Sequence, residues 1–335
     1  MKRSLKVGVV GATGMVGQTF MNILQERNFP IAELRPFASE NSLGKKISLQ
    51  GQEWPVQVLK DGCFDGLDLV FFSSGDDISA EWAPKAVQAG AFAVDNSAAF
   101  RMHPEISLVV PEVNGHLLHQ GMKPQIIANP NCSTIQLVVA LKPLADIFGL
   151  EEVRVSSYQA VSGAGQAGPD ELVEQMESYK SQASQPKTFP HPILFNCIPQ
   201  IGSFNDDGYC SEEVKIMKET RKILALDKLK VSAFTVRIPA LNSHSESVWV
   251  TLKQQVSKDQ VCGALQNFEG IVLQDEPKKS VYPLARDVSG KDPVYVGRVH
   301  RDMENPNMWL MWVVSDNIRK GAALNGIQIA EKLFL

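Results

Sequence analysis

The stretch from Leu5 to Arg27, LKVGVVGATGMVGQTFMNILQER, constrains the fold more than any other. Leu5 to Val10 is a mostly apolar, β-branched run, the pattern of a buried parallel strand. Gly11, Gly14 and Gly17 follow at even spacing, and Met15, Val16, Phe20, Ile23 and Leu24 then recur at helical spacing. The order is strand, glycine turn, helix. Gly11 permits a tight turn, Gly14 lets a pyrophosphate approach the backbone, and Gly17 lets the helix pack on the strand. The phosphates would sit on the helix N-terminus. Glycine spacing alone is weak, but here the required strand precedes it and the required helix follows.

The same punctuation continues. ELRPFAS, LDLVFFSSG, AFAVDNSAAFR, LVVPEVN and QIIANPN read as strands, and AEWAPKAVQAG reads as a helix stopped by Gly90. Strands alternating with helices predict an α/β fold with a Rossmann-type, doubly wound parallel sheet. Ligands of such sheets bind beyond the strand carboxyl ends. Ser73, Ser74, Gly75, Asn96, Ser97, Arg101 and Asn131 lie at or just past those ends.

From about Glu151 the texture changes. VRVSSYQAVSGAG alternates as a sheet with one exposed face does, and VSAFTVRIPALNSHSESVWVTLKQQV reads as two strands joined by a short turn. DELVEQMESYK and SEEVKIMKETRKIL read as helices. These predict an α+β second domain with a mostly antiparallel sheet. Tyr179 to Pro192 reads as a long exposed loop. Met308 to Leu335 reads as a strand, a polar turn and a closing helix that returns to the first domain.

Composition narrows the classes. The chain has 335 residues, a formal charge of −4 and 44% hydrophobic residues, enough for two cored domains. That charge disfavours non-specific nucleic-acid binding. No apolar run approaches the roughly 20 residues that span a bilayer, and the N-terminal run breaks into glycines rather than forming a signal-peptide core. A cytoplasmic protein without membrane or nucleic-acid partners is expected. Its five cysteines are scattered with no CxxC pair, which argues against a disulfide framework or a zinc site.

Cys132 differs from the other four. It follows Pro130-Asn131 and opens an apolar helical stripe of Ile135, Leu137, Val138 and Leu141, with Asn131 or Ser133 able to cap. Helix N-terminal amides favour a thiolate there, and could hold an oxyanion after attack on a carbonyl. A thiolate nucleophile needs a proton partner. His244, between two strand-like runs and flanked by serines, reads as semi-exposed and polar. Arg237 on an apolar strand is costly unless it holds a carboxylate or phosphate, or a structural ion pair. Gln159 leads into the glycine-rich loop Ser162-Gly163-Ala164-Gly165. Glu212 and Lys215 are i, i+3 neighbours on a helix, a pattern that a plain surface pair also produces.

Together GATGMVG, DNSAAFR, VVPEVN, PNCSTIQ, YQAVSGAG, EEVKIMKET, RIPALNSHSE and WVVSDNIRKGAA, in this order, resemble the bacterial type of the aspartate-β-semialdehyde dehydrogenase family. The resemblance runs through nearly the whole chain. It implies a homodimer with a dinucleotide-binding domain over 1–130, to which a helix over 317–335 returns, and a catalytic and dimerisation domain over 131–316. It implies the reversible conversion of aspartate semialdehyde, phosphate and NADP⁺ to aspartyl phosphate and NADPH, on the route to lysine, diaminopimelate, threonine and methionine. Carried over by residue, Cys132 is the nucleophile, His244 the acid/base that takes the hydroxyl proton, and Gln159 the group that orients the acyl-enzyme. Arg237 grips the substrate carboxylate, with Glu212 near the amino group. Arg101, Asn131 and Lys215 form the phosphate set. Thr13, Gly14, Met15 and Val16 form the pyrophosphate loop, and Ser162, Gly163 and Asn317 the nicotinamide-side contacts.

One departure bears on the cofactor. Many NADP-using members carry Ser-x-Arg-Ser after the second strand, where this chain has Ser39-Glu40-Asn41-Ser42. An acidic residue there binds a ribose 2′-hydroxyl and repels a 2′-phosphate, while Ser39, Ser42, Lys45 and Lys46 can still meet a phosphate. The resemblance therefore implies NADP with NAD use open. The rival readings are an N-acetyl-glutamyl-phosphate reductase, of the same fold and thioester chemistry, and a non-catalytic nucleotide sensor. PNCSTIQ and RIPALNSHSE favour the semialdehyde family.

Overall fold

The computed structural model describes residues 4–180 and 185–335. The chain divides into two compact units, one of residues 1–131 with 322–335, the other of residues 132–321. Residues 317–321, expected in the returning helix, belong to the second unit. Asp316 holds them there, because its Oδ1 accepts the Ile318 and Arg319 amides at 2.8 and 2.9 Å.

In the first unit the strands are β1 (Leu5–Val10), β2 (Ile31–Phe37), β3 (Lys46–Leu49), β4 (Gln52–Pro55), β5 (Leu69–Phe72), β6 (Phe92–Asp95) and β7 (Ile126–Ala128). Five of them form a sheet in the order β2-β1-β5-β6-β7, and all its pairs are parallel. The hairpin β3-β4 replaces the helix that would otherwise link β2 to β5. Helices α1 (Met15–Glu26) and α2 (Asp76–Gln88) cover opposite faces. Phe20, Ile23 and Leu24 of α1 share one core with Leu324, Ile327 and Ala330 of the final helix, Leu324–Phe334. Gly326 of that helix lies against the Phe20 ring, where a Cβ would meet it at 3.0 Å. LVVPEVN is not a strand. It shrinks to a bridge between Leu108 and Ala128, and Pro111 starts a helical turn, α3 (Pro111–Asn114). Proline cannot donate to a ladder but suits a first helical position. The Asn114 side chain satisfies the strand-like groups instead, at the Val110 N–H and the Leu108 carbonyl, both at 2.9 Å.

In the second unit α4 (Cys132–Phe148) leads into β8 (Leu150–Gln159), α5 (Ala167–Glu177), α6 (Ser211–Leu224), β9 (Lys230–Arg237), β10 (His244–Leu252), α7 (Lys258–Gln266), β11 (Ile271–Leu273), α8 (Ala285–Val288), β12 (Val294–Arg301) and β13 (Met308–Ser315). The sheet order is β11-β12-β13-β10-β8-β9. β10 is antiparallel to both its neighbours, and β12-β13 is antiparallel, while β8-β9 and β11-β12 are parallel. β9 and β10 are thus two strands joined by a short connection, as read, but they do not pair, because β8 lies between them. Their connection crosses the end of β8 and is bonded to it on the way. The Ile238 N–H reaches the Gln159 carbonyl at 3.0 Å and the Val161 N–H reaches the Ala240 carbonyl at 2.9 Å. Helices α4 and α6 cover one sheet face.

Of the expected loop Tyr179–Pro192, residues 181–184 lie outside the described residues. The stretch from 185 to 192 has no helix or strand, yet it is pinned. The Glu171 carboxylate accepts the Lys187 and Thr188 amides, and Phe189 is buried with Val161, Leu172, Ile193 and Ile198.

Candidate active site

The first-unit residues lie along the carboxyl edge of the sheet. β1 lies between β2 and β5, so the chain reverses its direction of travel across the sheet at the β1/β5 boundary, where such sheets bind ligands. The turn over 11–14 stands there. Gly11 has φ +81°, and a Cβ on it would come within 2.8 Å of the Ser73 carbonyl. A Cβ on Gly17 would lie 2.2 Å from the Gly11 carbonyl. These two glycines are needed for close packing. Gly14, exposed at the N-cap of α1, has only the Gly11 carbonyl nearby and no side chain caps the helix. The amide end of α1, flanked by Thr13, Met15 and Val16, therefore fits a pyrophosphate. Ser73 follows β5, and its hydroxyl and amide are tied to the Val10 carbonyl at 2.8 and 2.9 Å.

Ser39, Glu40 and Ser42 lie on a short helical turn, residues 40–42, after β2. Ser42 is buried and reaches Thr13 Oγ1 at 3.4 Å, whereas Ser39 and Glu40 are exposed. Lys46 is engaged with Glu53 at 2.7 Å. Arg101 and Asn131 also belong to the first unit, both buried, with Arg101 Nη2 donating to the Asn96 carbonyl at 2.9 Å.

The second unit gathers the remaining residues around the crossing over β8. Strand pairing sets Gln159 across from Arg237. The β10–β8 register pairs Ser245 with Tyr158, so His244 comes next to Gln159 on the other side. His244, Gln159 and Arg237 thus form one transverse row on the buried sheet face. Ala160, just past β8, holds two of them through its backbone. Its N–H donates to His244 Nδ1 at 3.1 Å, and its carbonyl accepts from Arg237 Nη1 at 2.7 Å. Gly163 lies on the same pair, where a Cβ would meet Arg237 Nη1 at 2.6 Å and His244 Nε2 at 3.2 Å.

His244 is fully buried, not semi-exposed. Burial and then the Arg237 charge hold its pKa well below the usual histidine value, with the Ser243 carbonyl working the other way. The ring is therefore neutral near pH 7. A backbone N–H can only donate, so Nδ1 is the acceptor and Nε2 carries the proton. Nε2 is buried with no hydrogen-bond partner in the protein, a donor awaiting an acceptor. Ser243, with φ +71°, turns the chain into β10, and its N–H is held by Asn317 Oδ1 at 2.9 Å. Asn317 also bonds Ser162 Oγ at 3.0 Å.

Arg237 is buried, which lowers its pKa, while Glu212 and Cys132 oppose that shift as neighbouring anionic groups. The Phe189 ring faces the guanidinium at 5.9 Å. Glu212 is buried on the first turn of α6, accepts from Gln159 Nε2 at 3.1 Å and meets Lys215 Nζ at 3.8 Å. Glu212 is therefore more than half of a surface pair. Its neighbour Glu213 instead caps α6, accepting the Cys210 N–H at 2.9 Å. Cys132 is the first residue of α4 and is half-buried, with Gly321 packed on it. A Cβ on Gly321 would lie 2.9 Å from Cys132 Cβ. Burial pushes the Cys63 and Cys262 thiols up, as inert thiols require.

Ala160, Gly321 and Phe189 carry no signal in a single sequence, because they act through backbone or packing. Among the described residues no group of His, Cys, Asp and Glu is placed to hold a metal, and no helix is long and apolar enough to cross a membrane.

Residues 6–121 match the family model described as semialdehyde dehydrogenase, NAD binding domain, and residues 141–320 match semialdehyde dehydrogenase, dimerisation domain. The chain is 47% identical to the aspartate-semialdehyde dehydrogenase of Aquifex aeolicus (strain VF5) over 331 residues, covering 98% of this chain and 97% of that protein. It resembles the solved structure of Vibrio cholerae aspartate semialdehyde dehydrogenase II complexed with ASA, with TM-score 0.93, 42% identity and 98% of each chain covered. The Candida albicans aspartate semialdehyde dehydrogenase, solved with NADP, matches with TM-score 0.75 and 28% identity over 98% of each chain.

Proposed function

We propose that this chain, which belongs to the aspartate-semialdehyde dehydrogenase family, carries out the reversible phosphorylating oxidation of L-aspartate 4-semialdehyde to L-4-aspartyl phosphate through a thioester on Cys132. The observation that carries it is the buried row of His244, Gln159 and Arg237, laid out beside a cysteine at a helix start.

The Cys132 sulfur, paired electrostatically with Arg237, adds to the aldehyde carbon. The carbonyl π electrons move to oxygen, and His244 Nε2–H donates to that oxygen. In the ring state fixed by Ala160, His244 is first a donor. It takes a proton at Nε2 only after the proton there has left. Arg237 holds the substrate carboxylate with the guanidinium edge that Ala160 does not occupy. Glu212 receives the ammonium group, and Gln159, anchored on Glu212, orients the acyl group. NADP, when bound, supplies the hydride acceptor. Gly11, Thr13, Gly14, Met15, Val16, Ser39, Glu40, Ser42 and Ser73 would hold its nucleotide portion, and Ser162, Gly163 and Asn317 its nicotinamide side. Phosphate, drawn by Arg101, Asn131 and Lys215, attacks the thioester carbon. The C–S bond breaks, aspartyl phosphate leaves and Cys132 is restored as thiolate.

The working form is a homodimer. The match of residues 141–320 to a dimerisation domain supports this, as does the open sheet face that carries Tyr158, Phe234, Trp249 and Trp312. Five free thiols suit the reducing cytoplasm.

The test is nicotinamide reduction with aspartate semialdehyde, with and without phosphate. Phosphate-dependent reduction is expected. In Cys132→Ala it should vanish while NADP binding persists. Turnover in that variant, or reduction indifferent to phosphate, would exclude the thioester route.

A further inference from the structure

Gln136 follows Cys132 by one helical turn on α4, so both side chains leave the same helix face. Glu246 follows His244 by two residues on β10, so both point to the same sheet face, the one on which α4 packs. Gln136 and Glu246 are both fully buried. The Gln136 amide is the polar group near enough to bias the Glu246 carboxyl, yet in this conformation no well-formed hydrogen bond joins them. Neither polar atom of Gln136 and neither carboxyl oxygen of Glu246 has any other partner.

The charged group that acts on Glu246 is itself an anion. Across the strands Glu246 meets Ser157 on β8 and Val313 on β13. From α6 it feels the negative Glu212, from α4 come Gln136 and Cys132, and on its own strand His244 is neutral. An ionised carboxylate is acceptor-only, so it could serve the Gln136 amide N–H but would leave Gln136 Oε1 orphaned. A protonated carboxyl donates to Oε1 and accepts from Nε2, and both groups are satisfied at once.

We propose that Glu246 and Gln136 close into a neutral acid–amide pair that fixes the helix of Cys132 onto the strand of His244, making Glu246 a positioning residue for the thioester reaction. The pair deepens the functional reading above and rests on it. Burial pushes the Glu246 carboxyl up to about 8, with the Gln136 amide working the other way and Glu212 adding to the rise, so the acid form prevails at neutral pH. Above that pH the donor bond is lost and a second anion joins Glu212 in the buried layer, which opposes ionisation of the nearby thiol.

The experiment compares the parent protein with Glu246→Gln, which keeps size and amide bonding but cannot ionise. The rate of Cys132 alkylation by iodoacetamide, followed by mass spectrometry, is measured at pH 6.5 and pH 9. The parent-to-variant rate ratio should fall several-fold between the two. The parent Tm, relative to the variant, should drop as pH rises from 5 to 8 and level off above, since a raised carboxyl pKa confers stability that is lost as pH climbs to it. A rate ratio indifferent to pH would overturn the proposal. If E246Q does not fold, the exchanged variant Gln136→Glu with Glu246→Gln decides. It retains one acid and one amide, so it should fold and keep the parent's pH dependence of alkylation, and failure of either overturns the pair. Neither readout uses the semialdehyde. Absence of phosphate-dependent reduction would therefore end the functional reading without being mistaken for failure of the pair.

Discussion

The N–H of Ala160 donates to His244 Nδ1 at 3.1 Å, while the carbonyl of the same residue accepts from Arg237 Nη1 at 2.7 Å. One backbone residue thus sets the tautomer of the ring and the aim of the guanidinium. Both bonds are made by the backbone of a fully buried residue, so displacement of the chain there would disturb both.

Gly163→Ala tests that arrangement from the opposite side. The added methyl would press on Arg237 Nη1 and His244 Nε2. Its backbone φ is ordinary and the residue is exposed, so the fold should tolerate alanine, with Tm little changed. Misplacement of reacting groups by a fraction of an ångström should lower kcat/KM by about 10- to 100-fold. Steady-state kinetics beside a thermal melt separate the two effects.

Arg237→Lys keeps the charge and loses the fork. A lysine cannot hold the Ala160 carbonyl and a substrate carboxylate in one plane. Loss of a charged hydrogen bond is worth about 1.5–3 kcal/mol, so KM for the semialdehyde should rise about 10- to 100-fold. An unchanged KM would return Arg237 to a structural role.

The buried His244 ring predicts a pH signature. Its pKa is lowered in the folded state, so the unfolded chain takes up a proton first as pH falls below about 6.5. Stability present above that pH should be lost on acidification, at up to about 1.4 kcal/mol per pH unit. His244→Asn, whose amide oxygen can still accept the Ala160 N–H, should not show this loss. Melts of both proteins from pH 7.5 to 5.5 report the difference, and Glu246, present in both, cancels.

Glu40 should read the cofactor ribose. It is exposed on the turn after β2, beside the buried Ser42 that reaches Thr13. Glu40→Arg replaces repulsion of a 2′-phosphate by attraction, and the NADP-to-NAD ratio of kcat/KM should rise by about tenfold or more. A ratio that does not move would place the residue 40 side chain in solvent, away from the ribose.

Some of the site was legible because local chemistry demands it. Gly11 needs its positive φ and Gly17 its missing Cβ whatever surrounds them, and a cysteine after Pro-Asn at the head of an apolar stripe is unusual in any setting. LVVPEVN misled because its β-branched run was read through a proline that cannot serve a ladder. That β9 and β10 are not neighbours in the sheet was hidden for a different reason. Two alternating runs close in sequence do pair by default, unless a third strand competes for the place between them, and no local pattern reports that competition.

The sequence by itself determined a βα-wound first half with a phosphate-sized turn, a sheet-rich second half and the residue types able to form and release a thioester. Periodicity, glycine placement and helix-start chemistry are short-range properties, and a single chain displays them. Tertiary structure alone decided that β8 enters between β9 and β10. That insertion brings Gln159, Arg237 and His244 into one row and buries a histidine that its serine neighbours made look half-exposed, while the packing of α4 on β10 sets Glu246 near Gln136. Those outcomes depend on which strands meet and on what the meeting removes from water, quantities that belong to the folded molecule as a whole.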